Sequence, residues 1–244
     1  MTNPLRLGML TPSSNTILEP VTSAMLAGMP EATAHFGRFR VTEISLSDQA
    51  LAQFDLEPML TAADLLADAH CDALCWNGTS AGWLGFDKDI ALCEAIEART
   101  GIKASSSVLA LSEIFRLAGV RTFGLVTPYI DDVQAGIIEN FSTEGYDCVA
   151  ERHLGVKVNF DFALTPPDQL REMIRDVAQA KPDGIVILCT NLAGAALAEE
   201  LEPELGIPIY DSISTAVWGA LRAAGVPPRH IRGWGRLFTD LGDL

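Results

Sequence analysis

Short apolar runs alternate with longer segments of mixed polarity along nearly the whole chain. The apolar runs predict strands over residues 5–10, 39–44, 73–76, 103–105, 122–126, 147–153, 184–188 and 208–210. The segments between them carry apolar residues at helical spacing and predict helices over residues 17–27, 49–69, 87–100, 108–118, 131–144, 167–180, 193–204 and 214–224. Runs such as GIVIL, at residues 184–188, lack inside–outside alternation, which is typical of strands covered by helices on both faces of a parallel sheet.

The second half of the chain repeats the plan of the first half. GMLTPS at residues 8–13 matches GLVTPY at 124–129, DALCWNGTSAGW at 72–83 matches DGIVILCTNLAG at 183–194, and the segments starting at residues 101 and 206 match as well. The repeat predicts an α/β fold of two similar doubly wound parallel-sheet lobes, residues 1–118 and 119–225, related by a pseudo-twofold axis. Residues 226–244 are predicted to pack on a lobe or on another subunit of a homo-oligomer.

Four donor-rich loops follow strands at matching positions of the two halves. Doubly wound sheets bind ligands beyond the carboxyl ends of their strands, so TPSSN, NGTSAG, TPYID and CTNLAG are expected around one site between the lobes. Backbone NH groups and hydroxyls at helix N-termini suit a carboxylate. The same residue types are also common helix caps and turn formers, and the repetition at four matched positions is what favours a binding site.

Charge narrows the classes of partner. The chain has 32 acidic and 17 basic residues, a formal net charge of -15 and 48% hydrophobic content. No basic stripe is available for the phosphates of nucleic acid or for an anionic membrane, so a small anionic substrate must be held by local backbone and hydroxyl donors. The sequence has neither an apolar run of about 20 residues nor the layout of a signal peptide, and a cytoplasmic location is expected.

The cysteines and histidines do not predict a metal site. The five cysteines include no CxxC pair, and the four histidines, at positions 35, 70, 153 and 230, are scattered. These spacings support neither a disulfide framework nor a zinc site nor a Ser-His-Asp triad. No metal and no cofactor are therefore expected.

The two halves differ at one chemically important position. Six residues after the Asp of the matched strand, the second half has Cys189 where the first half has Gly78. TPSSNT with Asn15, NGTS, TPYIDDV and the turn formed by Cys189 and Thr190 resemble the aspartate/glutamate racemase superfamily, specifically the branch of maleate cis-trans isomerase and arylmalonate decarboxylase. That resemblance implies cofactor-free chemistry with one cysteine from each lobe on opposite sides of a substrate carbon. Cys189 matches the second-lobe cysteine, and Cys75 is expected in the core.

Gly78 followed by Thr79 and Ser80 resembles the decarboxylase pattern, in which a single cysteine protonates an enediolate formed by loss of carbon dioxide. The predicted function is thus decarboxylation of a small 2-substituted malonate or related dicarboxylate, with Cys189 as the proton donor. The developing negative charge is assigned to Thr79, Ser80, Tyr129 and the backbone NH groups of Cys189 and Thr190. Substrate-binding residues are predicted to be Pro12, Ser13, Ser14, Asn15, Asn77, Asn159, Thr190 and Asn191.

Three alternatives stay open from the sequence. Asn15 and Asn159 resemble maleate isomerase, in which asparagines bind the substrate carboxylates and a cysteine adds to the double bond. A racemase-like isomerase acting on a small dicarboxylate is a further possibility within the same superfamily. Two lobes around a cleft also describe a cytoplasmic carboxylate-binding protein in which Cys189 is incidental.

Overall fold

The computed structural model describes residues 4–243, which form two four-stranded parallel sheets. The strands are β1 (Leu5–Pro12), β2 (Ala32–Phe39), β3 (Ala73–Trp76), β4 (Ala104–Ser106), β5 (Thr122–Thr127), β6 (Asp147–His153), β7 (Gly184–Ile187) and β8 (Ile209–Asp211). The helices are α1 (Leu18–Leu26), α2 (Asp48–Leu51), α3 (Leu56–Asp68), α4 (Ala81–Leu84), α5 (Phe86–Thr100), α6 (Ser107–Ala118), α7 (Asp131–Thr143), α8 (Asn159–Phe162), α9 (Pro167–Ala178), α10 (Ala195–Leu205), α11 (Ser212–Ala223) and α12 (Leu237–Asp240).

The two sheets have the same strand order. The first runs β2-β1-β3-β4 and the second β6-β5-β7-β8, and every pair within them is parallel. The chain moves outward in opposite directions from β1 and from β5, so each sheet has a switch point between its two central strands, where a crevice opens at their carboxyl ends. The predicted fold class of two similar doubly wound sheets is confirmed.

Burial explains why the central strands were the clearest in the sequence. All four residues of β3 and all four of β7 are buried, as expected for strands with helices on both faces. Helix α11 is buried on all sides over its residues from Ser212 to Leu221. It packs against α6 and against β3 and β4 of the first sheet, while α4 packs against α7. Elements of the two halves therefore share one core, and this fixes the loops between them.

The predicted strand over residues 39–44 is wrong, because β2 lies earlier, at Ala32–Phe39. It is an edge strand that pairs only with β1, and most of its side chains, including Thr33, His35 and Arg38, are at least partly exposed. Such a half-exposed strand lacks the continuous apolar run that marks a central one. Val41 and Ile44 are nevertheless buried, in the loop that follows β2.

The single helix predicted over residues 49–69 is interrupted. Helix α2 continues into a short 3-10 turn that ends at Asp55, whose backbone is extended, and α3 begins at Leu56. Pro58 lies in the first turn of α3, where its missing NH costs no hydrogen bond. Pro58 was therefore a signal in the sequence that a new helix begins here. The short helices α4, α8 and α12 were not predicted.

The C-terminal segment packs on the chain itself. Ile231, Leu237 and Phe238 are buried, and the indole NH of Trp218 in α11 donates to the Leu241 carbonyl at 3.0 Å. Across residues 4–243, none of the helices combines the length and the apolar character that a membrane crossing requires.

Candidate active site

A narrow cavity lies where the carboxyl ends of the central strands of both sheets meet. Its volume is about 20 Å³, room for roughly one water molecule, so a dicarboxylate must displace side chains to enter. The lining residues are Pro12, Val41, Ile44, Phe54, Trp76, Gly78, Thr79, Ser80, Trp83, Tyr129, Asn159, Cys189 and Thr190. Strands β1, β3, β5 and β7 thus all deliver residues to one place, as the sequence predicts.

Cys189 follows β7 and is 3% exposed. Burial raises the pKa of its thiol to about 12, although the backbone NH of Asn191 and the Tyr129 hydroxyl act in the opposite direction by hydrogen-bonding to the sulfur. The Asn191 nitrogen lies 3.4 Å from Sγ. At neutral pH the side chain is therefore a protonated thiol with donors already directed at the sulfur. Such a group can give a proton and is poorly suited to attack as a thiolate.

Tyr129 links the cysteine to the first lobe. Its hydroxyl and Oγ1 of Thr79 are 2.6 Å apart, and either of them can donate. The Tyr129 ring packs on Trp83 and Phe162 at centroid distances of 5.1 and 5.6 Å. Burial raises the pKa of Tyr129 well above its ordinary value, so the hydroxyl remains a neutral hydrogen-bond donor. Two hydroxyls from opposite lobes are thereby held in place beside Cys189.

Gly78 leaves no open space on the first-lobe side. A Cβ atom built on this residue would overlap the six-membered ring of the Trp76 indole. Trp76 is 1% exposed, and its ring contacts Phe39 at a centroid distance of 5.1 Å. In this structure the glycine therefore accommodates a tryptophan side chain.

Apolar side chains form the remaining wall of the cavity. Pro12 ends β1, Val41 and Ile44 lie in the loop after β2, and Phe54 and Trp83 complete this surface. An ionised carboxylate is disfavoured against this wall because hydrocarbon does not replace its hydration.

Five of the predicted binding residues are not in the cavity lining. The side-chain oxygen of Asn15 accepts hydrogen bonds from the backbone NH groups of Ile17 and Leu18 at the start of α1. Its Nδ2 donates a hydrogen bond to Thr190 Oγ1 at 3.1 Å. Thr190 in turn donates to the Asn77 carbonyl at 3.0 Å. Asn15 is therefore a helix cap and a tie between the two halves, the structural role that the sequence also allowed.

The other four make similar contacts. Ser13 and Ser14 hydrogen-bond to Val41, and Asn77 donates to the Cys75 carbonyl. Asn191 accepts from the Thr16 NH at 2.9 Å and donates to the Asn159 carbonyl at 2.6 Å. These contacts position the loops rather than line the cavity. Cys75 lies in the core, with its thiol 3.5 Å from the Ala216 carbonyl.

The electrostatic character of the cavity comes from neutral groups. None of the residues that line it within the described chain is Lys, Arg or His. Asn159 is the one lining amide, and its Nδ2 donates to Ser14 Oγ at 2.8 Å. Residues 4–243 contain no group of three or more His, Cys, Asp or Glu side chains that could hold a metal ion.

The sequence did not predict five of the lining residues, which are Val41, Ile44, Phe54, Trp76 and Trp83. One signal was present for Trp76, because residues two apart in an extended segment share a face, and this places the indole beside Gly78. Phe54 and Trp83 offered no comparable signal, since tertiary packing brings their segments to the cavity.

Comparison with known proteins agrees with this architecture. The model of the arylmalonate decarboxylase family matches residues 9–238. A maleate isomerase from Geobacillus stearothermophilus is 26% identical over 91% of this chain and 93% of its own. An arylmalonate decarboxylase from Bordetella bronchiseptica is 30% identical over 62% of this chain and 63% of its own. A mutant of Nocardia farcinica maleate cis-trans isomerase with a covalently bound succinylcysteine intermediate superposes with a TM-score of 0.88 at 24% identity, covering 97% of this chain and 98% of that one.

The chain belongs to the arylmalonate decarboxylase family, within the branch of the aspartate/glutamate racemase superfamily that also contains the maleate isomerases. It is an enzyme of this family, a lyase or an isomerase, and this excludes the alternative of a simple binding protein.

Proposed function

We propose that the protein decarboxylates a small 2-substituted malonate or related dicarboxylate, with Cys189 as its single proton donor. The observation that carries this proposal is the pairing of one buried thiol with a glycine whose surroundings are filled by the Trp76 indole. A two-base isomerase or racemase needs a second acid or base on the opposite face of the substrate carbon. The cavity lining provides a thiol on one side only.

The bond that breaks, the electron pair and the proton can all be accounted for with Cys189 and water. The bond between the α-carbon and one carboxylate breaks, carbon dioxide leaves, and the electron pair remains as an enediolate on the other carboxylate. The Cys189 thiol donates its proton to the α-carbon, and the resulting thiolate regains a proton from water. Because nothing is oxidised or reduced, the reaction requires no further reagent.

We assign the two carboxylates to two parts of the cavity wall. The Thr79 and Tyr129 hydroxyls, 2.6 Å apart, provide donors for the carboxylate that becomes the enediolate. Donors aimed at developing charge are the largest contribution in many enzymes, each worth about 3 kcal/mol. The leaving carboxylate is assigned to the apolar wall formed by Val41, Ile44 and Phe54, where neutral carbon dioxide is favoured over the charged group.

Maleate isomerisation is the second candidate, and one observation favours it. Asn159 lines the cavity and matches an asparagine that the resemblance assigns to carboxylate binding. Against it, covalent addition requires a thiolate, and burial raises the pKa of Cys189 to about 12. The other asparagine of the resemblance, Asn15, is occupied as a cap and interlobe tie.

Incubation in heavy water separates the two candidates. Purified protein is given phenylmalonate or maleate, and the products are followed by proton NMR. Decarboxylation yields phenylacetate with one deuterium on its α-carbon, whereas isomerisation yields fumarate. Turnover of maleate without turnover of any 2-substituted malonate would overturn the proposal.

A further inference from the structure

A second, larger cavity lies directly beside the first. Its volume is about 190 Å³, and Phe54, Trp76 and Ser80 line both cavities. The other residues around it are Leu56, Met59, Leu84, Lys88, Asp89, Ala91 and Leu92. Apolar cavities of roughly 150 Å³ accept a benzene ring, so this space is large enough for a ring-bearing substituent that extends past Ser80.

A carboxyl group is buried in this largely apolar wall, to which Ser80 and Lys88 also contribute. Asp89 lies in the first turn of α5 and is 2% exposed. Its Oδ2 atom is buried and has no hydrogen-bond partner within residues 4–243. An unsatisfied buried polar atom costs about 1–3 kcal/mol, and the function described so far gives this carboxyl no role.

The indole nitrogen of Trp76 is in the same situation. Nε1 is buried without a hydrogen-bond partner in the described chain, and Trp76 lines the cavity together with Asp89. An indole NH only donates, and an ionised carboxylate only accepts. An ammonium group could satisfy Asp89 alone, and a carbonyl could satisfy Trp76 alone. A hydroxyl on the substrate both donates and accepts, so it suits both residues.

We propose that Asp89, together with the Trp76 indole NH, selects substrates whose 2-substituent is a ring bearing a hydroxyl group. This inference rests on the proposed function, because it places the reacting carboxylates in the narrow cavity and the ring in the larger one. It assigns substrate specificity to Asp89 in α5, which lines the larger cavity and not the narrow one. Burial raises the pKa of Asp89 to about 7, and a hydroxyl can pair with either protonation state of the carboxyl.

The test measures binding of product analogues, so that it does not depend on turnover. Calorimetry gives the Kd of 4-hydroxyphenylacetate and of phenylacetate for the wild-type enzyme. A hydrogen bond to a charged group is worth about 1.5–3 kcal/mol, so the hydroxylated ligand is expected to bind roughly ten- to a hundredfold more tightly. Equal affinities in the wild type would overturn the inference without any variant being made.

Two variants locate the preference. Asp89→Leu replaces the carboxyl by an apolar group with the same branching and is expected to lose the preference for the hydroxylated ligand. Asp87→Leu is the matched control, because this neighbouring side chain is 74% exposed and does not line the cavity. If Asp89→Leu does not fold, Asp89→Asn serves instead and is expected to weaken the preference. A preference that survives substitution of Asp89 would contradict the assignment.

The design also separates this inference from the proposed function. Decarboxylation of both phenylmalonate and 4-hydroxyphenylmalonate with equal kcat/KM would leave the reaction intact and refute the role of Asp89. Selective binding of the hydroxylated analogue without turnover of either malonate would support the pocket and refute the reaction.

Discussion

The Trp76 indole occupies the space that a side chain at Gly78 would need. Gly78 is not among the glycines with positive φ, so the restriction on this position comes from its neighbour and not from its backbone. Trp76 cannot move freely, because it is buried against Phe39. The packing around Gly78 therefore leaves no room for a cysteine side chain at this position of the first lobe.

This packing predicts the effect of adding a single methyl group. Gly78→Ala is expected to lower the free energy of unfolding by about 1–3 kcal/mol through overpacking, as measured by urea denaturation. Trp76→Phe in the same chain is expected to recover part of the loss. Gly28→Ala is the control, because a Cβ there meets only ordinary contact distances. A Gly78→Ala variant as stable as the wild type would contradict this account of the position.

The contacts of Asn15 predict a loss of stability on its removal. Asn15→Ala loses the cap of α1 and the hydrogen bond to Thr190, and is expected to cost about 2 kcal/mol by urea denaturation. Asn15→Asp keeps the capping oxygen and is expected to lose less. If Asn15→Ala left stability unchanged and raised only KM, Asn15 would instead be a direct substrate ligand.

The hydroxyl pair beside Cys189 predicts a loss of rate. Tyr129→Phe keeps the ring contacts with Trp83 and Phe162 but removes one donor, and kcat is expected to fall about 10²–10³-fold. Thr79→Val is expected to act similarly, and the double variant should lose less than the product of the two effects, because each hydroxyl orients the other at 2.6 Å. Steady-state kinetics on phenylmalonate measures all three variants. Full additivity would show that the hydroxyls act independently.

The buried thiol predicts the pH dependence of the reaction. The acid form of Cys189 is the reactive one, and burial raises its pKa to about 12, so the thiol stays protonated through the neutral range. The rate contribution of this group is therefore constant there and is lost as the pH rises toward that value. Presteady-state measurement of the protonation step across pH tests the expectation. A step that accelerates from pH 6 to 9 would indicate that a thiolate is the active form.

The sequence predicted the central strands and the position of the site well. It predicted less well which residues line that site. Strands β3 and β7 stand out because every residue is apolar, and the loops after β1, β3, β5 and β7 can be located from the repeat alone. β2 was misplaced because an edge strand such as Ala32–Phe39 carries polar residues. The ladder of hydrogen bonds on its inner side decides its position, and this ladder leaves no pattern in the side chains.

The roles of individual polar residues were harder to predict. Asn15 and Asn159 look equivalent in the sequence, but only Asn159 lines the narrow cavity. Whether an amide caps a helix or faces a ligand depends on where its partners lie in space. Asp89 shows the same limit, because a first-turn acid in a helix ordinarily complements the helix dipole in solvent, and only the packing of α5 buries it.

The most direct test of the central claim is the effect of Cys189→Ser on kcat for the 2-substituted malonate that the wild type turns over. A serine hydroxyl is a far weaker acid than a thiol, so kcat is expected to fall about 10²–10⁴-fold, while the Kd of the arylacetate product changes little. Cys148→Ser is the matched control, since this cysteine lies in β6 outside both cavities, and it is expected to keep the wild-type rate. A Cys189→Ser enzyme with the kcat of the wild type would contradict the account.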